Sequence, residues 1–128
     1  MFDLSWYNSL VSPVLSPPAF VFAPVWIILY VLIFISLLIF VFKNNENKKL
    51  GYIYFVIQLI LNLSWTGVFF GLKSILGGLI IIVVLDIFVA LTMVEFLKVS
   101  KLATSLLVPY LLWILFATYL NSAYLILN

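Results

Sequence analysis

The sequence predicts an all-α integral membrane protein in which four transmembrane helices form one compact bundle. Of its 128 residues, 67% are hydrophobic and only 8% are charged, whereas a soluble domain has about a quarter of its residues charged. Four apolar runs each reach the roughly 20 residues that a helix needs to cross a hydrocarbon core of about 30 Å. The runs are continuous rather than alternating, which excludes the strands of a β-barrel. The links between them are short and hold nearly every charge, so antiparallel neighbours in a single domain, residues 1–128, are the economical arrangement.

The elements follow in order. Residues 1–18, MFDLSWYNSLVSPVLSPP, have no Lys or Arg and are interrupted by prolines, so they do not read as a secretory signal. Pro17 and Pro18 stiffen this N-terminal segment and would hold Trp6 and Tyr7 over one mouth of the bundle, either as a lid or as an interfacial aromatic anchor. The first helix is expected from about Ala19 to Phe42, with Pro24 near its start, where a missing N–H costs little. Phe22, Trp26, Tyr30 and Ile33 share one face of it.

The second helix is expected from Gly51 to Leu72. At roughly 100° per residue, Gln58, Asn62, Trp65 and Phe69 make one narrow stripe with Thr66 beside it. Amides facing lipid would be costly, so this stripe should face the bundle interior and bond a neighbouring helix or a ligand. Gly67 and Gly71 lie on the opposite side and leave a flat groove, suited either to a second copy of the chain or to a helix of the same chain. The third helix, Ile75 to Leu97, carries Asp86 near its middle. A carboxyl at that depth should be protonated, paired or in contact with water in a cavity, and a proton or cation route is the functional version. The fourth helix is expected from Ser105 to Leu127, with Pro109 in its first turn. Trp113, Phe116, Ala117, Leu120 and Tyr124 cluster on one face, flanked by Tyr110 and Asn121.

Whole classes of chemistry are excluded. The chain has no Cys and no His, which removes disulfides, thiolate metal sites and Cys nucleophiles, and no cluster of nucleophile, base or metal ligands remains to suggest polar catalysis. The net charge is only +2, and the lysines flank membrane spans, so they read as topology signals rather than as a nucleic-acid surface. Lys43, Lys48, Lys49, Lys98 and Lys101 fall on one side and Lys73 on the other, which predicts both termini outside. Three helices present aromatic faces with a few polar groups, the make-up of a pocket for a flat, apolar ligand, or else of plain core packing.

Three segments carry a resemblance. WYNSLVSPVLSPPAFVFAPVWIILY is similar to the loop and second helix of the TspO/MBR family, the tryptophan-rich sensory and translocator proteins, and QLILNLSWTGVFFG and PYLLWILFATYLN resemble that family's third and fifth helices, in the same order. The resemblance covers essentially the whole chain and implies helices two to five of a five-helix fold, a shortened member without the first helix. Removing a helix exposes flanks, so an obligate oligomer is expected, a homodimer in the family pattern, through the gap or the Gly67/Gly71 groove. The departures are Phe20 after the paired prolines, Ile80 and Ile81 where the family often has a carboxylate, and no Lys or Arg after Tyr124, which argues against sterol binding through the C-terminal cholesterol motif.

The resemblance further implies a porphyrin, of the protoporphyrin type, or a similar hydrophobic ligand bound within the bundle, no cofactor or metal, and a sensor or regulator of tetrapyrrole metabolism. Trp26, Asn62, Trp113 and Ala117 would line the pocket, and Trp6 and Tyr7 would belong to the loop covering it. Together with the aromatic faces, the candidate ligand-binding set is Tyr7, Phe22, Trp26, Tyr30, Asn62, Trp65, Thr66, Trp113, Ala117 and Leu120. Two alternatives stand beside this reading. One is an enzyme degrading protoporphyrin in light, with Trp6 and Trp113 as redox-active residues; the other is a small transporter of hydrophobic molecules. A prokaryotic cell membrane is the expected location.

Overall fold

The computed structural model describes residues 22–43, 48–72 and 74–128. Residues 1–21 and Lys73 lie outside the described residues, and so do the expectations placed on Trp6, Tyr7, Pro17 and Pro18 and on the side chain of Phe22. Among the described residues, α1 spans Phe22–Phe42, α2 Lys49–Thr66, α3 Ile75–Leu97 and α4 Lys101–Leu127, and α2 runs on into a π-helical turn at Gly67–Gly71. All four helices are long and apolar enough to cross a membrane. In lipid each backbone polar group must be satisfied within its own segment, which is why the spans are helical throughout.

Two of the starts have visible caps. Ser74 Oγ accepts from Gly77 N at 3.0 Å at the start of α3, and Ser100 Oγ accepts from Ala103 N at 3.2 Å at the start of α4, each satisfying a first-turn N–H that the helix leaves open. The second cap corrects the expected start of the fourth helix. α4 begins at Lys101, not Ser105, because the Ser100 hydroxyl nucleates the turn. Pro109 therefore lies inside the helix rather than in its first turn, and its missing N–H cannot reach the Ser105 carbonyl. Likewise α2 begins at Lys49, not Gly51, with Tyr52 N bonding the Lys48 carbonyl at 3.1 Å.

The helices form a ring in the order α1, α4, α3, α2. α3 packs along both α2 and α4, and α4 packs along α1, while α1 and α2 are joined across the interior by side chains. Ser36 Oγ ties α1 to α4 by donating to the Ala103 carbonyl at 2.6 Å. The interior holds Ile82, Leu85 and Val89 of α3 and Leu107 and Ile114 of α4. The outward faces carry apolar residues such as Ile27, Phe34, Ile60 and Leu112, as contact with lipid requires.

The end of the bundle that carries Lys48 and Lys98 is closed by aromatic stacking. Phe40 stacks on Phe96 with ring centroids 4.1 Å apart and meets the edge of Tyr52 at 5.2 Å. Lys48 donates to the Val41 carbonyl at 2.9 Å and lies 5.5 Å from the centre of the Phe40 ring. Gly51 makes room for that ring: a Cβ there would come within 2.5 Å of Phe40 Cζ, and Phe40 is fully buried. Gly51→Ala gains about 1 kcal/mol of helix propensity but overpacks the ring by about 1–3 kcal/mol. A net loss of about 0–2 kcal/mol is expected in a detergent unfolding titration. Combining it with Phe40→Leu should give less than the sum of the single losses, because the two changes share one contact.

Candidate functional site

An aromatic cluster centred on Trp26 occupies the interior between α1, α2 and α4. Its ring centroid lies 5.6 Å from Tyr30, 6.5 Å from Trp65, 6.4 Å from Tyr110 and 6.5 Å from Trp113. The last two contacts are edge-on, at 68° and 87°, the arrangement that aromatic quadrupoles favour. Trp65 also stacks on Phe69 at 5.5 Å, and Trp113 meets Phe116 at 5.8 Å. Trp26 and Trp113 are half-buried, whereas Trp65 and Ala117 are buried. Ala117 contributes only a methyl to the same face of α4, which keeps that part of the wall shallow.

A relay of hydrogen bonds runs beside the rings. Tyr30 donates to Asn62 Oδ1, Asn62 Nδ2 donates to the Tyr110 hydroxyl at 2.9 Å, and Tyr110 donates to Gln58 Oε1 at 2.7 Å. Gln58, Asn62 and Tyr110 are almost completely buried. Three helices are thereby joined by uncharged groups, each with a partner at a depth where an unpaired polar residue is costly. Asn62 keeps one amide hydrogen and one oxygen lone pair beyond these bonds, which is the capacity a ligand's polar edge would meet. A second link closes the far end: Trp65 Nε1 donates to Asn121 Oδ1 at 3.1 Å, and Asn121 Nδ2 donates to the Ile75 carbonyl at 2.8 Å.

Two close approaches hold that second link. A Cβ on Gly78 would lie 3.0 Å from both Asn121 Oδ1 and Phe69 Cδ2, so any larger residue would press on both side chains. The π turn at Gly67–Gly71, in which Leu72 N reaches back to the Gly67 carbonyl at 3.0 Å, sits directly after Trp65 and contains Phe69. Insertions of this kind are frequent at functional positions.

The candidates read from the sequence separate into groups. Trp26, Tyr30, Asn62, Trp65 and Trp113 are brought together. Ala117 and Leu120 are buried on the adjoining face of α4. Thr66 lies beside the stripe and turns its hydroxyl to the Asn62 carbonyl of its own helix at 3.4 Å. Phe22 contributes its backbone to the start of α1. The site also uses two residues that the candidate set omits, Gln58 and Tyr110; both stood on the interior faces, and what identified them was partnership across helices. Ser36 and Thr118 carried the only advance signal available to them, a hydroxyl inside an apolar span.

Comparison with known proteins adds an independent line. Residues 2–127 match the TspO/MBR family. The chain is 48% identical over 128 residues to the tryptophan-rich protein TspO of Chlorobaculum tepidum, covering 97% of this chain and 80% of that one. It is 36% identical over 123 residues to the tryptophan-rich sensory protein of Cereibacter sphaeroides, covering 96% and 77%. To the human translocator protein it is 36% identical over 123 residues, covering 92% and 72%.

Proposed function

This chain belongs to the TspO/MBR family, and from that premise we propose that it binds a porphyrin, or a similarly flat and apolar tetrapyrrole, among the rings of α1, α2 and α4. It would act as a sensor or regulator of tetrapyrrole metabolism. The observation that carries this reading is the convergence of three indoles, Trp26, Trp65 and Trp113, on one interior site beside the Asn62 amide. Indole faces stack on a macrocycle, and an amide with spare hydrogen-bonding capacity meets its polar edge. The rings lie in mutual contact, so binding requires Trp26 to turn away from Trp65 and Trp113. The sensory role follows the name borne by the Cereibacter sphaeroides relative.

The protein is an integral, multi-pass membrane protein, and its orientation belongs to the same proposal. Lys43, Lys48, Lys49, Lys98 and Lys101 gather at one end of the bundle, which the positive-inside rule places in the cytoplasm. A homodimer fits the outer side of α2, where a Cβ on Gly67 would meet no atom within 4 Å. A close approach by a second copy needs that kind of bare backbone.

Titration with protoporphyrin IX in mild detergent tests the ligand. Tryptophan fluorescence should be quenched to saturation. Quenching that rises linearly without a plateau would refute the site.

A further inference from the structure

A second polar group lies inside the hydrocarbon span, apart from the aromatic site. Asp86 stands at the midpoint of α3, one position beyond Leu85 in the buried stripe of Gly78, Ile82, Leu85 and Val89. That step turns it by roughly 100° from the stripe, toward α4. There Thr118 Oγ1 donates to Asp86 Oδ2 at 2.7 Å. Thr118 is likewise one position beyond Ala117, so the pair occupies the seam between α3 and α4 rather than the face shared with Trp113. Both residues are half-buried.

The hydrogen-bond inventory of this pair does not close. Thr118 Oγ1 lies 2.7 Å from the Ile114 carbonyl as well, so with Asp86 ionised one hydroxyl proton serves two acceptors. Asp86 Oδ1 is buried and has no hydrogen-bond partner among the described residues. The described lysines offer no counter-ion, since each lies at or beyond a helix end. Lys98, for example, is 12 residues further along the chain than Asp86, or about 18 Å along the axis at the helical rise. A polar clasp between helices needs one acceptor for one hydroxyl. A carboxyl brings a second oxygen, and at this depth an unmet oxygen is costly. The missing complement is a donor, preferably a cationic one, attached to a body soluble in the bilayer.

We propose that Asp86 and Thr118 form a second recognition point for the ammonium head of a membrane-soluble amine that reaches the α3–α4 seam from the lipid. The ammonium donates to Oδ1, from which it displaces the covering side chains, while Thr118 holds Oδ2 and fixes the carboxyl plane. The apolar tail remains in the bilayer against the outward faces of α3 and α4. This inference is independent of the porphyrin reading, because it uses neither the ring cluster nor Asn62.

The test uses the full chain in zwitterionic nanodiscs with ¹³C-labelled aspartate. The Asp86 carboxyl resonance is assigned by its loss in Asp86→Asn and followed as dodecylammonium is added. A saturable shift is expected, with none for dodecanol, which has the same tail without the charge. Thr118→Val should weaken the midpoint by about three- to tenfold, the effect of one ordinary net hydrogen bond. Saturating protoporphyrin should leave the shift in place. An Asp86 resonance that does not move, an equal shift with dodecanol, or displacement of the amine by protoporphyrin would each overturn the proposal. Thr118→Val should keep saturable protoporphyrin quenching, so that its weaker amine effect is not loss of fold.

Discussion

Trp26→Ala should destabilise the bundle by about 2–4 kcal/mol and weaken protoporphyrin binding at least tenfold. Lipid is as apolar as the interior, so burial from water contributes little to holding α1 in place; packing and hydrogen bonds do so. Trp26 supplies three of the ring contacts by which α1 meets its neighbours, to Trp65, Tyr110 and Trp113. Each such pair contributes about 0.5–1.5 kcal/mol. The alanine also leaves a void that the rigid surroundings fill only in part. Because Trp26 is half-buried, the lower part of the range for large-to-small core changes applies. Trp26→Phe retains a ring and should lose about 1 kcal/mol. Unfolding in mixed detergent, read by near-ultraviolet circular dichroism, checks the order of the two variants.

Asn62→Ala should come next, at about 1–3 kcal/mol. It removes the acceptor for Tyr30 and the amide that donates to Tyr110. Interhelical hydrogen bonds in membranes average about 0.6 kcal/mol and reach about 1.7, so two give this range. Asn62→Asp is the informative companion. Ionised, it keeps an acceptor for Tyr30 but sets another acceptor against the Tyr110 hydroxyl, whose one proton already goes to Gln58 Oε1; protonated, it donates to Tyr110 in place of the amide. At alkaline pH, where it ionises, the aspartate should therefore be at least as destabilising as the alanine, despite its closer shape. An aspartate variant as stable as wild type at that pH would mean that the relay does not hold the three helices together.

Much of this was legible in the sequence, for a definite reason. Helical periodicity is a local property, and it placed Gln58, Asn62, Trp65 and Phe69 on one stripe and Ala117, Leu120 and Tyr124 on another, flanked by Tyr110 and Asn121, all now buried, whereas Trp113 and Phe116 of that second stripe are half-buried. The partnerships were not legible. Tyr30 and Asn62 are 32 positions apart, as are Asp86 and Thr118, and only the packing of α1 beside α4 and of α3 between α2 and α4 decides which polar groups meet. The boundary at α4 was missed for another reason. Lys101 reads as part of a charged link, while the Ser100 cap that starts the helix is a single hydroxyl. Treating charge as the end of a span hid four helical residues and placed Pro109 at a helix start.

The central claim is that a porphyrin binds among Trp26, Trp65 and Trp113 beside Asn62. Nuclear magnetic resonance of the protein in detergent, with ¹⁵N-labelled indoles and side-chain amides, tests it directly. On addition of protoporphyrin, the ring current of the macrocycle should shift the indole signals of Trp26 and Trp113 and the Asn62 amide most strongly, with a common midpoint. Shifts confined to lipid-facing residues, with those three signals unmoved, would contradict it.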